Sequence, residues 1–268
     1  MEDLLIKSCL EGNRKSIEKL IKSIDGLVYN LALRFLWTKE DAEDATQEIL
    51  LKVMTNLSKF HGKSKFNTWV YRLATNYLIN QKKSTFEKRP ITFSQFSEDL
   101  NTITEPTSYD LPDRDLLEKE MKTGCTLAML QCLNRDLRIV FILGSVLKIK
   151  SNVACEIIDI TPENFRKRLQ KARKLIEGFM NSNCGVYNPK NTCRCNKKIN
   201  TALACKRIVK KDLSFVSDVT IYYDEMEEIN SMTGIYQNHG EFENKTDFQN
   251  ELIKLVMNKR IVDGIQDI

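Results

Sequence analysis

The sequence predicts an all-α protein of two helical domains joined by a flexible acidic linker, with a small extension at the C-terminal end. Three observations lead there. Proline and glycine are scarce, five and ten in 268 residues, so helices meet few breakers. Apolar residues recur at helical spacing through residues 3–83 and again through 125–180, with no paired-strand alternation and no fixed-period repeat. Between them, the stretch "SEDLNTITEPTSYDLPDRD" loses that periodicity and gains Pro, Ser, Thr and acid, the composition of a linker. The expected borders are 1–83, 84–123, 124–180 and 181–268.

Taken in order, residues 3–35 read as helix interrupted near "EGN" and "DG". Residues 39–58 form a strong helix with Ala42, Ile49, Leu50, Val53 and Leu57 on one face. Asp41, Asp44 and Glu48 fall opposite. After "FHGKSK" a third helix runs over about 66–83, with Phe66, Trp69, Val70, Leu73 and Tyr77 inward and Arg72, Thr75, Asn76 and Lys83 away from them. Residues 125–147 and 151–180 return to helix. The acidic end holds one further helical pattern, over 247–262.

The second half carries a sharper signal. In "KSNVACEIIDITPENFRKRLQKARKLIEGFM" a short helix over 151–158 ends at Asp159, a residue type that tolerates a left-handed turn. Thr161 then suits an N-cap and Pro162 the first helical position. The small Ala154 and Cys155 allow close helix crossing, and Ile158, Ile160, Phe165 and Leu169 are the expected buried set. This is a helix-turn-helix pattern whose second helix is basic. Glu163, Asn164, Arg166 and Lys167 are placed to reach base edges, while Arg168, Lys171 and Arg173 suit phosphates. An ordinary hairpin with a solvated basic face is the competing reading.

Charge is patterned in blocks. Residues 1–90 and 124–180 are each +5, 91–123 is −5, 181–211 is +8 and 212–268 is −8. Two basic modules on an acidic tether fit a nucleic-acid-facing protein. In the helix "KFNTWVYRLATNYLINQKK", Trp69 and Phe66 belong to the buried stripe. Tyr71, Arg72, Asn76 and the loop 61–65 are the better candidates to meet unpaired bases. No apolar run approaches the roughly 18–20 residues that span a bilayer. The amphipathic, acid-containing start is unlike a signal peptide. A cytoplasmic protein without a membrane partner is expected.

The acids of "KEDAEDATQEILLKV" do not read as a metal or catalytic site. No second acidic cluster converges on them in residues 1–90, and they oppose the apolar face, where burial cannot shift a pKa. Composition alone does not separate a docking surface from a solvated face.

A resemblance bears on that choice. "DAEDATQEILLKVMTNLSKFHGKSKFNTWVYRLATNYLINQKK" resembles region 2 of bacterial RNA polymerase sigma factors of the sigma-70 family, extracytoplasmic-function (ECF) group. "LAMLQCLNRDLRIVFILGSVLKIKSNVACEIIDITPENFRKRLQKARKLI" resembles their region 4. The likeness spans about residues 4–83 and 125–180 in the right order, around an acidic linker. It implies a transcription initiation factor with no catalytic residues. Its partners would be core RNA polymerase and promoter DNA, with an anti-sigma factor as a further candidate. Asp41, Asp44, Gln47 and Glu48 would dock on the clamp helices of the polymerase largest subunit. Lys63, Ser64, Lys65, Asn67, Arg72 and Asn76 would read the melted minus-ten element. Glu163, Asn164, Arg166, Lys167 and Arg168 would read the duplex minus-thirty-five element, with Lys171 and Arg173 beside them. The acidic linker would follow the nucleic-acid channel of the polymerase. The alternative is a stand-alone helix-turn-helix regulator, which has no need for an exposed acid helix followed by an aromatic–basic one.

The chain has eight cysteines. Cys9, Cys125, Cys132 and Cys155 sit in periodic apolar segments and read as small buried hydrophobes. Cys184, Cys193, Cys195 and Cys205 cluster in the Lys/Asn-rich stretch, in a tail that looks like one found on a subset of these factors. Their spacing, C-x8-C-x-C-x9-C, leaves zinc ligation and reduced or redox-sensing thiols both open. No cofactor is otherwise required. The acidic end is expected to fold back on residues 181–211 or on region 4.

Overall fold

The computed structural model describes residues 2–81, 91–102, 111–216, 236, 241–242 and 248–258. Their regular elements are helical, apart from one isolated bridge between Cys184 and Cys193. The helices are α1 (Glu2–Leu10), α2 (Arg14–Leu36), α3 (Lys39–Thr55), α4 (Phe66–Asn80), α5 (Phe93–Thr102), α6 (Arg114–Gln131), α7 (Arg135–Phe141), α8 (Ser151–Ile157), α9 (Pro162–Asn183), α10 (Ile199–Ala204) and α11 (Phe248–Asn258). A π-turn, Ile142–Val146, continues α7. Two compact units result. The first holds Met1–Lys82, Asn152–Pro162 and Glu243–Ile268, and the second Lys83–Ser151 and Glu163–Phe242. The helix-turn-helix segment is therefore divided, with α8 in the first unit and α9 in the second.

In the first unit, the expected break at "EGN" occurs, with Gly12 at φ +79°. Asn13 caps α2, its side chain accepting from the Ser16 N–H at 3.1 Å. The expected break at "DG" does not occur. α2 runs straight through Asp25 and Gly26, because Ile21, Ile24, Val28 and Leu31 keep a fully buried stripe on either side. That burial outweighs the roughly 1 kcal/mol that a mid-helix glycine costs. α2, α3 and α4 pack together around Ile49, Leu50, Val53, Val70, Ala74 and Leu78. α11 packs on α2 and α3 through Leu252, Ile253 and Val256. Of the acidic end, α11 thus lies against the first helices, whereas Leu213 packs on Ile199, Ala202 and Ile208 of the stretch 181–211 and the Tyr236 ring stands 5.2 Å from Phe141 of α7. The rest of that end lies outside the described residues.

The second unit changes the picture of the linker. α5 and the start of α6 lie inside residues 84–123, where the sequence shows no periodicity. Long-range contacts order them. Phe93 and Phe96 place their rings 5.4 and 5.3 Å from Phe179 of α9, and the Ser97 hydroxyl donates to the Asn183 side chain. The acids of this stretch answer the basic block that follows α9. Asp99 takes a bidentate pair from Arg207 at 2.9 Å, and Asp113 meets Lys210 at 2.8 Å. Glu120 is 3% exposed and accepts from the backbone N–H groups of Ser214, Phe215 and Val216 at 2.8–3.3 Å. Leu117, Ile199, Ala202 and Ile208 form a small core beneath these pairs. Opposite block charges along the chain therefore clasp α5 and the start of α6 to the extension. The parts of the linker at 82–90 and 103–110 lie outside the described residues.

Candidate nucleic-acid interface

α3 starts after Thr38, whose backbone is extended and whose hydroxyl donates to the Asp41 carboxylate at 2.7 Å. Ala42, Ala45, Ile49, Leu50, Val53 and Met54 face inward. The buried Thr46 hydroxyl is satisfied by the Ala42 carbonyl at 2.6 Å. This inward stripe leaves Glu40, Asp44 and Glu48 exposed and Asp41, Glu43 and Gln47 half-buried. Among the described residues neither Asp44 nor Glu48 has a cation within 4 Å, so their charge is not cancelled locally. Their field is felt nearby. The Tyr77 hydroxyl is raised above its usual pKa by burial first, then by Glu48 and Asp44. Tyr29 is pushed up to about 12 by burial, with Glu43, Glu40 and Asp25 adding to it. The outer edge of α3 is a continuous negative ridge.

That ridge adjoins the helix expected to meet unpaired bases. Lys52 of α3 stands 5.7 Å from the centre of the Tyr77 ring on α4. Before α4, Gly62 at φ +68° turns a loop that leaves Lys63 and Lys65 exposed and Ser64 half-buried. Phe60, Phe66 and Trp69 pack together with centroids 5.3–5.7 Å apart. Trp69 thus supports the loop rather than offering a free stacking face. Asn67, Arg72 and Asn76 are exposed along α4. Thr75, placed away from the apolar stripe by periodicity, is fully buried. Its hydroxyl bonds to the Tyr71 and Arg72 carbonyls and approaches that of Ile157 at 3.5 Å. The helical wheel missed this because α8 covers that side of α4.

The second candidate surface is α9. Asp159 takes φ +53°, the left-handed turn its position requires, and α9 starts at Pro162. Phe165, Ala172, Ile176, Phe179 and Met180 are its buried face; Leu169, Ile158 and Ile160 are only half-buried. Glu163, Asn164, Arg166, Lys167, Lys171, Arg173 and Lys174 are exposed, and Arg168 is half-buried. Several of these are pre-positioned. Lys167 pairs with Glu163 at 2.7 Å one turn back, with both side chains about 70% exposed, so the pair is weak. Arg168 reaches Asp136 at 3.6 Å. Arg173 donates to the Ser145 hydroxyl in the π-turn at 2.9 Å, which steadies its stem while leaving its far end in solvent. α9 lies close against that turn at Gly144, where an added Cβ would come within 2.8 Å of Leu169.

Residues 20–85, from the middle of α2 past the end of α4, match sigma-70 region 2. The ECF RNA polymerase sigma-E factor of Haemophilus influenzae is 24% identical over 178 residues, which are 66% of this chain and 93% of that protein. The chain thus carries a sigma-70 region 2 and is similar over two thirds of its length to ECF sigma factors. The RNA polymerase sigma-H factor of Pseudomonas aeruginosa is likewise 24% identical over 178 residues, 65% of this chain and 90% of the relative. The ECF sigma factor SigW of Bacillus subtilis is 32% identical over 76 residues, 28% and 41% of the two chains. Among solved structures, the sigma factor RpoE of Bartonella quintana, crystallised with the anti-sigma factor NepR, is 18% identical. The likeness covers 62% of this chain and 97% of that one, with a TM-score of 0.44. The negative ridge of α3, the loop after it and α4 all fall within the matched region.

The four cysteines of the tail are also regrouped. Cys184, Cys193 and Cys195 line one small cavity, but the fourth cysteine there is Cys125 of α6, while Cys205 is exposed. Sequence spacing could not reveal this, because Cys125 lies 59 positions before Cys184 in an apolar helix. Burial pushes the Cys195 thiol up to about 12 and raises Cys125 and Cys193 as well. Among the described residues no helix is long and apolar enough to cross a membrane.

Proposed function

We propose that this sigma factor joins the two surfaces in one task. It directs RNA polymerase to promoters at transcription initiation, without chemistry of its own. The negative ridge of Asp41, Asp44, Gln47 and Glu48 docks on the clamp helices of the polymerase largest subunit. The loop and α4, through Lys63, Ser64, Lys65, Asn67, Arg72 and Asn76, hold bases of the minus-ten element once the duplex opens. Unstacked bases cost a few kcal/mol to expose, and contacts in this region offset that cost. α9 enters the major groove at the minus-thirty-five element, with Glu163, Asn164, Arg166 and Lys167 toward base edges and Arg168, Lys171 and Arg173 toward phosphates. The observation that carries this reading is the exposed, locally uncancelled charge of Asp44 and Glu48 beside the exposed Arg72 and Asn76.

Free sigma factor is expected to bind promoter DNA weakly, because two modest DNA-reading surfaces gain by avidity only when polymerase fixes their spacing. The action is cytoplasmic, with core polymerase, and an anti-sigma factor that covers either surface would switch it off. Capture of core polymerase by the purified chain, followed by run-off transcription from a genomic promoter library, tests the reading. Sequence-selective transcripts that appear only with both components support it. Failure to bind core polymerase, with operator binding by the free chain, would favour a stand-alone regulator.

A further inference from the structure

The cavity lined by four thiols has a volume of about 30 Å³ and mixes cysteines with Leu100, Met129, Phe179 and Met180. The thiols reach it from three pieces of backbone. Cys125 projects from the middle of α6, and Cys184 follows the end of α9. Cys193 is bridged to Cys184, strand fashion, and Cys195 opens the next 3₁₀ turn. The loop that brings these last three together is held without help from the sulfurs. The Asn188 N–H donates to the Cys184 carbonyl at 2.9 Å, and the Asn191 amide reaches the Asn181 and Cys184 carbonyls at 3.0 and 3.2 Å. The Arg194 guanidinium donates to the Pro189, Asn191 and Cys193 carbonyls at 3.1, 2.6 and 2.8 Å. Gly185 permits the close approach, since a Cβ there would overlap the Cys193 carbonyl and the Arg194 guanidinium.

We propose that Cys125, Cys184, Cys193 and Cys195 form a structural site for Zn²⁺, pinning the extension to α6. Four sulfurs from three backbone segments around a small, largely apolar space are the donor set of a closed tetrahedral zinc centre. Binding is Zn²⁺ plus four thiols giving a tetrathiolate and four protons released to solvent, which leaves the centre at −2. Cations are at hand to balance it. Lys122 lines the cavity, Arg194 belongs to the loop itself, and Lys198 is tied to the Leu100 carbonyl at the wall. Among the described residues no group of three or more His, Cys, Asp or Glu is already placed to hold a metal ion, so the thiols must close in on it. Neutral thiols have nothing to draw them to the roughly 3.8 Å sulfur–sulfur spacing that 2.3 Å Zn–S bonds impose. Loss of their protons to the metal supplies that attraction. Cys205, included by sequence spacing, is excluded by position.

The full chain, purified under reducing conditions, is analysed for metal by mass spectrometry and titrated with Co²⁺, whose sulfur charge-transfer band reports bound thiolates. About one zinc per chain is expected in the wild type and in Cys205→Ser. The ion should be lost in Cys125→Ser and in Cys193→Ser. Chelation of the wild type, which needs no variant to fold, should make about four more of the eight thiols reactive. Zinc absent from the wild type even after addition of Zn²⁺ would overturn the proposal. So would retention in Cys125→Ser with loss in Cys205→Ser, or a Cys184–Cys193 disulfide in the reduced preparation. None of these readouts depends on transcription.

Discussion

Replacing Glu120 by Ala should detach the segment that follows α10 while sparing both interaction surfaces. The carboxylate is almost wholly buried and accepts from three consecutive backbone N–H groups, at Ser214, Phe215 and Val216. Hydrogen bonds to a charged acceptor contribute about 1.5–3 kcal/mol each, and the three here are not additive because one group makes them all. Removing the acceptor leaves the donors unpaired unless the segment peels away into water. Peeling of 214–216 is the cheaper outcome, since it gives up the apolar contacts of Phe215 and Val216 while Leu213 can stay on the Leu117, Ile199, Ala202 and Ile208 core. A net loss of about 3 kcal/mol in local stability is expected, a rise in amide exchange at 214–216 of roughly 150-fold. Glu120→Gln should fall between, as its amide offers one acceptor and turns two donors toward the same N–H groups. Hydrogen exchange by mass spectrometry reads the segment directly. Unchanged protection of 214–216 in Glu120→Ala would refute the clasp.

Other consequences can be checked in parallel. In holoenzyme binding to promoter DNA, Lys171→Ala should reduce the slope of log affinity against log salt by about 0.9, one phosphate contact. Arg166→Ala should instead cost about 1–3 kcal/mol and relax base preference in the upstream element. Asn134 caps α7, its side chain accepting from the Leu137 N–H at 2.9 Å, so Asn134→Ala should lower unfolding stability in urea by about 1 kcal/mol. Gly144→Ala would press a methyl group against Leu169 and the buried Phe165 ring at 2.8 and 3.2 Å, and should cost about 1–2 kcal/mol in the same assay.

Local chemistry was legible in the sequence where one segment decides its own shape. α3 and α4 follow from the spacing of Ile49, Leu50 and Val53 and of Phe66 and Val70. The turn at Asp159 and the start at Pro162 follow from residues whose backbone preferences are narrow. What depended on distant partners was not legible. α5 is set by Phe179, more than 80 residues away, and its acid-rich composition reads as linker until Arg207 is placed opposite Asp99. Thr75 is buried by α8, which no wheel of α4 contains. Of the candidate site, the ridge on α3 and the basic face of α9 were readable because exposure follows from opposition to a buried stripe. The cysteine grouping was not, because Cys125 looks like any small residue of an apolar helix.

The proposed grip on polymerase is the α3 ridge. Asp44 and Glu48 are exposed and make no ion pair among the described residues, so reversing both to Lys should leave the helical unit folded. The affinity of the chain for core RNA polymerase, measured by fluorescence titration at fixed salt, should fall about 10–100-fold in Asp44→Lys/Glu48→Lys. Wild-type affinity in that variant, with its circular dichroism and melting unchanged, would contradict the claim.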